Sequence, residues 1–213
     1  MKQAIVFASS IKDDSGSTFE SLAVYLEKLN IGLKIAAVVT DRDKGGVGSR
    51  ARALGIPRVI FTEPFLAVRY RRLVKSLKAD WVFLLGWLKP VLGLDPKMTI
   101  NTHAGTWPLT AGLYGRHMHE AAMEAFGRGE ITHTEVIVHF VTRKIDGGPV
   151  IFRYPVKILE DDTPQTLEKR VKQAERGWLG WVINLVVSGK IYWDGKDPLS
   201  LVVPEWYRYH KQE

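Results

Sequence analysis

Cysteine is absent from the 213 residues, which removes disulfides, thiolate metal ligands and a cysteine nucleophile together. No apolar run approaches the roughly 20 residues that span a bilayer. The opening MKQAIVFASS carries too short an apolar stretch for a secretory leader. The expected compartment is the cytoplasm, with no membrane partner. Internal repeats, low-complexity tracts and Pro/Ser linkers are missing as well, so nothing marks a domain boundary. What is present suits one core: 46% of the residues are hydrophobic, and the length fits one domain better than two. We read residues 1–190 as that domain and 191–213 as a short aromatic tail. Thirty Lys and Arg against 23 Asp and Glu leave a charge of +7, which favours anionic partners such as phosphate esters, polyglutamates or nucleic acids.

Strand-length apolar runs alternate with amphipathic stretches. QAIVFA (3–8), KIAAVVT (34–40), RVIF (58–61), WVFLLG (81–86) and MTINT (98–102) are separated by STFESLAVYLEKL, GSRARALG and a helical stretch from Pro64 to Lys78. That order predicts an α/β fold with a mostly parallel sheet and helices on both faces. Beyond the helix-like HMHEAAMEAFG, the runs EVIVHFVT and PVIFRYPV are joined by the turn RKIDGG, so the sheet is expected to gain antiparallel strands in its C-terminal half. A long helix opens with Thr163 as cap and Pro164 in its first turn and stops at Gly189.

Open parallel sheets bind ligands outside the carboxyl ends of their strands. The loop SSIKDDSGSTF lies at such an end, and Gly16, Ser17 and Thr18 could wrap a phosphate there, or serve only as a helix cap. It contains neither a Walker A nor a dinucleotide-binding sequence. In NTHAGTWP, Asn101 and His103 are alternate residues whose side chains point the same way. A neutral amide donor beside a proton-shuttling imidazole suits acyl transfer; a buried, satisfied histidine next to a turn asparagine is the plainer alternative. Asp146, before two glycines in HFVTRKIDGGPVI, reads as an ordinary turn residue when taken alone. His117 and His119 are two histidines within three residues, but no carboxylate or cysteine cluster accompanies them, and no metal site is expected.

Taken in order, SSIKDDSGSTF, LGWLKPVL, NTHAGTWP and VHFVTRKIDGGPVI resemble the motifs of the folate-dependent formyltransferases, most closely the phosphoribosylglycinamide formyltransferases of purine synthesis. In that family they stand as S-G-x-G-S-N, A-G-(F/Y)-M-R-I-L, N-I-H-P-S-L-L-P and V-H-F-V-x-x-x-(L/V)-D-x-G-P-I-I. The resemblance runs over about residues 1 to 190, and the Asn-x-His and Asp-Gly-Gly-Pro pieces are its specific part.

The resemblance implies a Rossmann-like formyltransferase fold and transfer of a formyl group from 10-formyltetrahydrofolate to an amine, with Asn101, His103 and Asp146 as the catalytic trio and no metal. The implied small-molecule partners are glycinamide ribonucleotide and the folate. Gly16, Ser17 and Thr18, with Lys172 and Glu175 on the long helix, match positions that meet substrate phosphate and ribose. Leu88, Lys89, Pro90 and Val91 match a folate-binding segment, and Val138, His139, Arg143 and Lys144 match its other wall. An aminosugar nucleotide or methionyl-tRNA is the alternative acceptor within the family. The tRNA enzymes carry a further C-terminal domain where this chain has only its tail, and RNA binding without catalysis is disfavoured. The tail could be an oligomer contact or a lid. Departures from the family are the longer phosphate loop with its extra IKDD, Thr18 in place of Asn, Ala104-Gly105 in place of Pro-Ser, and Trp107 in place of Leu.

Overall fold

The computed structural model describes residues 1–211; the last two residues of the predicted tail lie outside them. The chain forms two compact units, Met1–Asn101 and a second beginning at Thr102.

The first unit carries the parallel strands. β1 (Lys2–Phe7) lies between β2 (Leu33–Thr40) and β4 (Trp81–Leu84), while β3 (Arg58–Ile60) pairs with the far side of β2. β5 (Thr99–His103) starts in register with β4, Leu84 opposite Asn101, and crosses the unit boundary. Ala4 to Phe7 are wholly buried, as a central strand covered on both faces requires. Between strands run α1 (Ser17–Leu29), α2 (Gly46–Ala53) and α3 (Ala67–Ser76). α1 ends where Asn30 turns left-handed and donates its N–H to Leu26 O. α3 presents Arg71, Arg72 and Lys75 to solvent and buries Tyr70, and Lys78 just past its end is exposed too, so the basic face is a solvated one. The Tyr70 ring packs with Phe7 and Phe61, its hydroxyl donates to Pro90 O at 2.7 Å, and Trp87 Nε1 donates to that hydroxyl at 3.0 Å. These bonds pin the segment 87–90 that follows β4.

The second unit holds α4 (Arg116–Gly127), the antiparallel pair β6 (His133–Phe140) and β7 (Val150–Lys157), and α5 (Pro164–Val187). Strand order is β3-β2-β1-β4-β5-β6-β7, the mostly parallel sheet with antiparallel C-terminal strands that the alternating pattern predicts. Ala122, Val136, Val156, Ile158, Leu167 and Val171 form a core between α4, α5 and the two strands. α5 begins with a capping box, Thr163 and Thr166 each bonding the other's backbone N–H, with Pro164 in its first turn. The tail is cover for β7: Tyr207 Oη donates to Ile151 O at 3.0 Å, Arg153 N donates to Tyr209 O, and Tyr207 and Tyr209 pack on Trp181 and Phe152.

One ion pair anchors α5. Asp162 accepts both Arg170 guanidinium nitrogens, at 2.6 and 2.7 Å, together with Leu159 N and Thr166 Oγ1 at 2.8 Å each. The Arg170 bonds, with the donors from Leu159 and Thr166, hold its carboxyl down to about 2 despite its burial. Replacing Asp162 by Ala leaves these donors unmatched and is expected to cost about 3 kcal/mol, read as a lowered urea midpoint at pH 7.

Candidate functional site

The first unit gathers its loops at the carboxyl ends of β1, β2 and β4. Ser10 N donates to Asp41 Oδ1 at 2.9 Å, Leu88 N to Ser9 Oγ at 3.1 Å, and Ser9 N to Gly86 O at 3.1 Å. Gly16 is the N-cap of α1 at φ 87, with no side-chain cap bond. Ser17 and Thr18 follow in the first turn. The loop that carries the extra Ile11 to Asp14 folds over α2: Gly46 N donates to Lys12 O, and a Cβ at Gly46 would strike the carbonyls of Asp13 and Ser15. Arg50, bonded to Ser15 O and ion-paired with Glu20 at 3.0 Å, brings a cation beside Gly16 that no motif in the sequence marks.

Of the predicted folate segment, Leu88, Lys89 and Val91 are half-buried and Pro90 is exposed. Lys89 Nζ stands 3.3 Å from Asp41 Oδ2, whose side chain is buried. Burial raises the Asp41 carboxyl, but the Ser10 N–H, Lys89 and Arg42 together hold it below its ordinary range. Lys89 thus already has a carboxylate partner, and a folate glutamate would have to share it. Asn101 is half-buried on β5.

The second unit builds its polar centre around His103, the last residue of β5. His103 is buried, with Nδ1 3.5 Å from Asp146 Oδ2 and Nε2 2.9 Å from Thr110 Oγ1. Asp146 sits in the β6–β7 turn at φ 48, a left-handed position that Asp and Asn accept more readily than most residues. Its Oδ2 accepts Gly112 N at 2.8 Å, and its Oδ1 lies 3.7 Å from His139 Nε2. Gly148 permits this turn, since a Cβ there would collide with the carbonyl of Phe140. His139 is buried on β6, its Nδ1 2.8 Å from Phe140 O; Val138 beside it is buried too, while Arg143 and Lys144 are exposed in the turn. Trp107 packs edge-on to His139 at 4.9 Å and tilts over His103 at 5.8 Å between ring centroids.

Burial pushes the His103 imidazole down, and the carboxylate only opposes that shift. Burial likewise lowers His119, and it takes His139 to about 4. Linkage gives the sign: an unfolded chain takes up these protons from about pH 6.5 downward, while the folded chain resists them. Stability present above pH 6.5 is therefore lost as pH falls toward 4, by a few kcal/mol in sum. Urea unfolding is expected to show a lower midpoint at pH 5 than at pH 7.5.

On α5, Lys172 pairs with Glu168 at 2.7 Å, and Glu175 is buried. His117 is exposed beside Glu120, whereas His119 on α4 is buried, its Nδ1 without a hydrogen-bond partner among the described residues. Thr110 went unnoticed in the sequence, since a threonine seven residues after a histidine carries no recognisable signal. Among the described residues no helix is long and apolar enough to cross a membrane.

Comparison with known proteins agrees with this architecture. The phosphoribosylglycinamide formyltransferase of Arabidopsis thaliana, a chloroplastic protein, is 29% identical over 205 residues, covering 90% of this chain and 68% of its own. That of Bacillus subtilis is 28% identical, covering 88% of this chain and 96% of its own. The crystal structure of phosphoribosylglycinamide formyltransferase from Streptococcus pneumoniae superposes with a TM-score of 0.73 at 26% identity, over 88% of this chain and 99% of that one. The family described as "Formyl transferase" matches residues 3–183, and the chain belongs to that family.

Proposed function

We propose that the protein transfers a formyl group from 10-formyltetrahydrofolate to the primary amine of glycinamide ribonucleotide, a step of purine synthesis. Family membership over residues 3–183 supports formyl transfer, and the names of the relatives support the acceptor. The observation that carries the chemistry is the buried His103–Asp146 pair, 3.5 Å apart, with His103 on the strand that also bears Asn101.

The folate co-substrate supplies the formyl carbon. As the amine attacks it, charge gathers on the formyl oxygen. Asn101 donates to that oxygen, a contribution of roughly 3 kcal/mol for one such donor, and the positive charge of protonated His103 stabilises it further. Asp146 favours the imidazolium against the burial that disfavours it, and relays the amine proton, through water, to the departing folate nitrogen. No covalent intermediate on the protein is needed. The imidazole and carboxylate are buried, which strengthens each of these interactions.

For binding, Gly16, Ser17 and Thr18, with Lys172 and Glu175, are assigned to the acceptor's phosphate and ribose. Leu88, Lys89, Pro90, Val91, Val138, His139, Arg143 and Lys144 are assigned to the folate. Residues 1–190 act as one formyltransferase domain in the cytoplasm, without a metal. Incubation with 10-formyltetrahydrofolate and a panel of phosphoribosyl, sugar-nucleotide and tRNA amines, following tetrahydrofolate release, tests the acceptor. Release with glycinamide ribonucleotide alone is expected, and turnover confined to another amine would contradict the assignment.

A further inference from the structure

The contact between His103 and Thr110 has no part in the chemistry just described. Thr110 is completely buried, so its hydroxyl cannot attack a substrate, although a hydroxyl, an imidazole and a carboxylate stand in line. Its Oγ1 has two acceptors within reach, His103 Nε2 at 2.9 Å and Thr106 O at 3.0 Å. A hydroxyl has one hydrogen and can also accept. When His103 is neutral with its proton on Nδ1 toward Asp146, Nε2 offers a lone pair and Thr110 donates to it. When His103 is the imidazolium, Nε2–H donates to Thr110, and the hydroxyl hydrogen goes to Thr106 O.

We propose that Thr110 is a positioning residue, a hydroxyl rotor that matches both protonation states of His103 and so lets this buried imidazole take up and release a proton at low cost. Gly105 makes the contact possible. A Cβ at position 105 would stand 2.8 Å from Thr110 Cβ and closer still to Oγ1. The Gly105 departure from the family's Pro-Ser pair is thereby tied to Thr110 as one unit. The inference rests on the formyl-transfer reading for its consequence in rate, but not for its consequence in protonation.

The titratable groups facing His103 are Asp146 from the β6–β7 turn, His139 from β6 and His119 from α4. None of them changes in Thr110→Val, which preserves shape and removes only the hydroxyl. The imidazolium Nε2–H then has no acceptor, a heavier loss for the charged form than for the neutral one.

The test uses nitrogen-15 histidine NMR and steady-state kinetics on the full chain. Thr110→Val should move the His103 titration to lower pH by about one unit, and lower kcat/KM by roughly 10- to 100-fold with the alkaline limb displaced the same way. Thr110→Ser should restore both readouts to near wild type. Gly105→Ala should resemble Thr110→Val, and adding Thr110→Ala to it should bring little further loss. An unmoved His103 titration in Thr110→Val, or a Thr110→Ser variant as impaired as Thr110→Val, overturns the proposal. If wild type transfers no formyl group while the titration shifts as described, the functional reading fails and the role of Thr110 stands.

Discussion

His103→Ala is expected to lower kcat/KM for formyl transfer on the order of a thousandfold, with KM for either substrate moved by less than about threefold. In the proposed mechanism the imidazolium stabilises negative charge that develops on the formyl oxygen and is absent from the ground state. A stabilising charge of this kind acts mainly on kcat. The His103 side chain is 4% exposed, so truncation also leaves a cavity beside Trp107, and a modest loss of stability should accompany the loss of rate. Circular dichroism and urea unfolding at pH 7.5 separate the two effects. A rate loss that vanishes at lower temperature would point to unfolding, whereas one that persists belongs to the chemistry.

Asp146→Asn is the second large effect, again on the order of a thousandfold in kcat. Asn is the suitable probe because it tolerates the left-handed backbone at φ 48, where Ala would add strain. Its amide oxygen can keep the bond that Asp146 Oδ2 accepts from Gly112 N. Only charge and basicity are removed. Burial holds the His103 imidazole low and Asp146 is what opposes it, so without the carboxylate the protonated fraction falls further. The alkaline limb of the pH–rate profile is therefore expected to move to lower pH, in the same direction as in Thr110→Val, while the plateau drops as well because the proton relay is lost. A pH–rate profile from 5 to 9 checks both parts.

Much of the fold was legible because hydrophobic periodicity is local. Runs such as QAIVFA and KIAAVVT, buried on both faces, and the Thr163–Pro164 opening of α5 carry their structure in neighbouring residues. Boundaries moved by a few residues: the stretch predicted from Pro64 to Lys78 is helical only over Ala67–Ser76, and Lys78 turns left-handed just past it. The Asn-x-His and Asp-Gly-Gly-Pro pieces could be found as motifs. Their electrostatics could not, because the burial that lowers His103 depends on Trp107, Thr110 and the β6–β7 turn packing round it. Nor could the sequence show that Lys89 faces Asp41 or that Lys172 faces Glu168, since each charged side chain had several partners within reach. The aromatic tail illustrates the same limit. Trp and Tyr in WYRYHKQE announced a contact, but only the fold shows that the rings spend themselves on β7 and α5.

The most direct test follows the reacting carbon. With carbon-13 in the formyl group of 10-formyltetrahydrofolate, NMR should show the label leaving the folate nitrogen and appearing on the amine of glycinamide ribonucleotide, at a rate that collapses in His103→Ala. Label that stays on the folate, emerges as free formate, or reaches the amine equally fast without His103 would contradict the account.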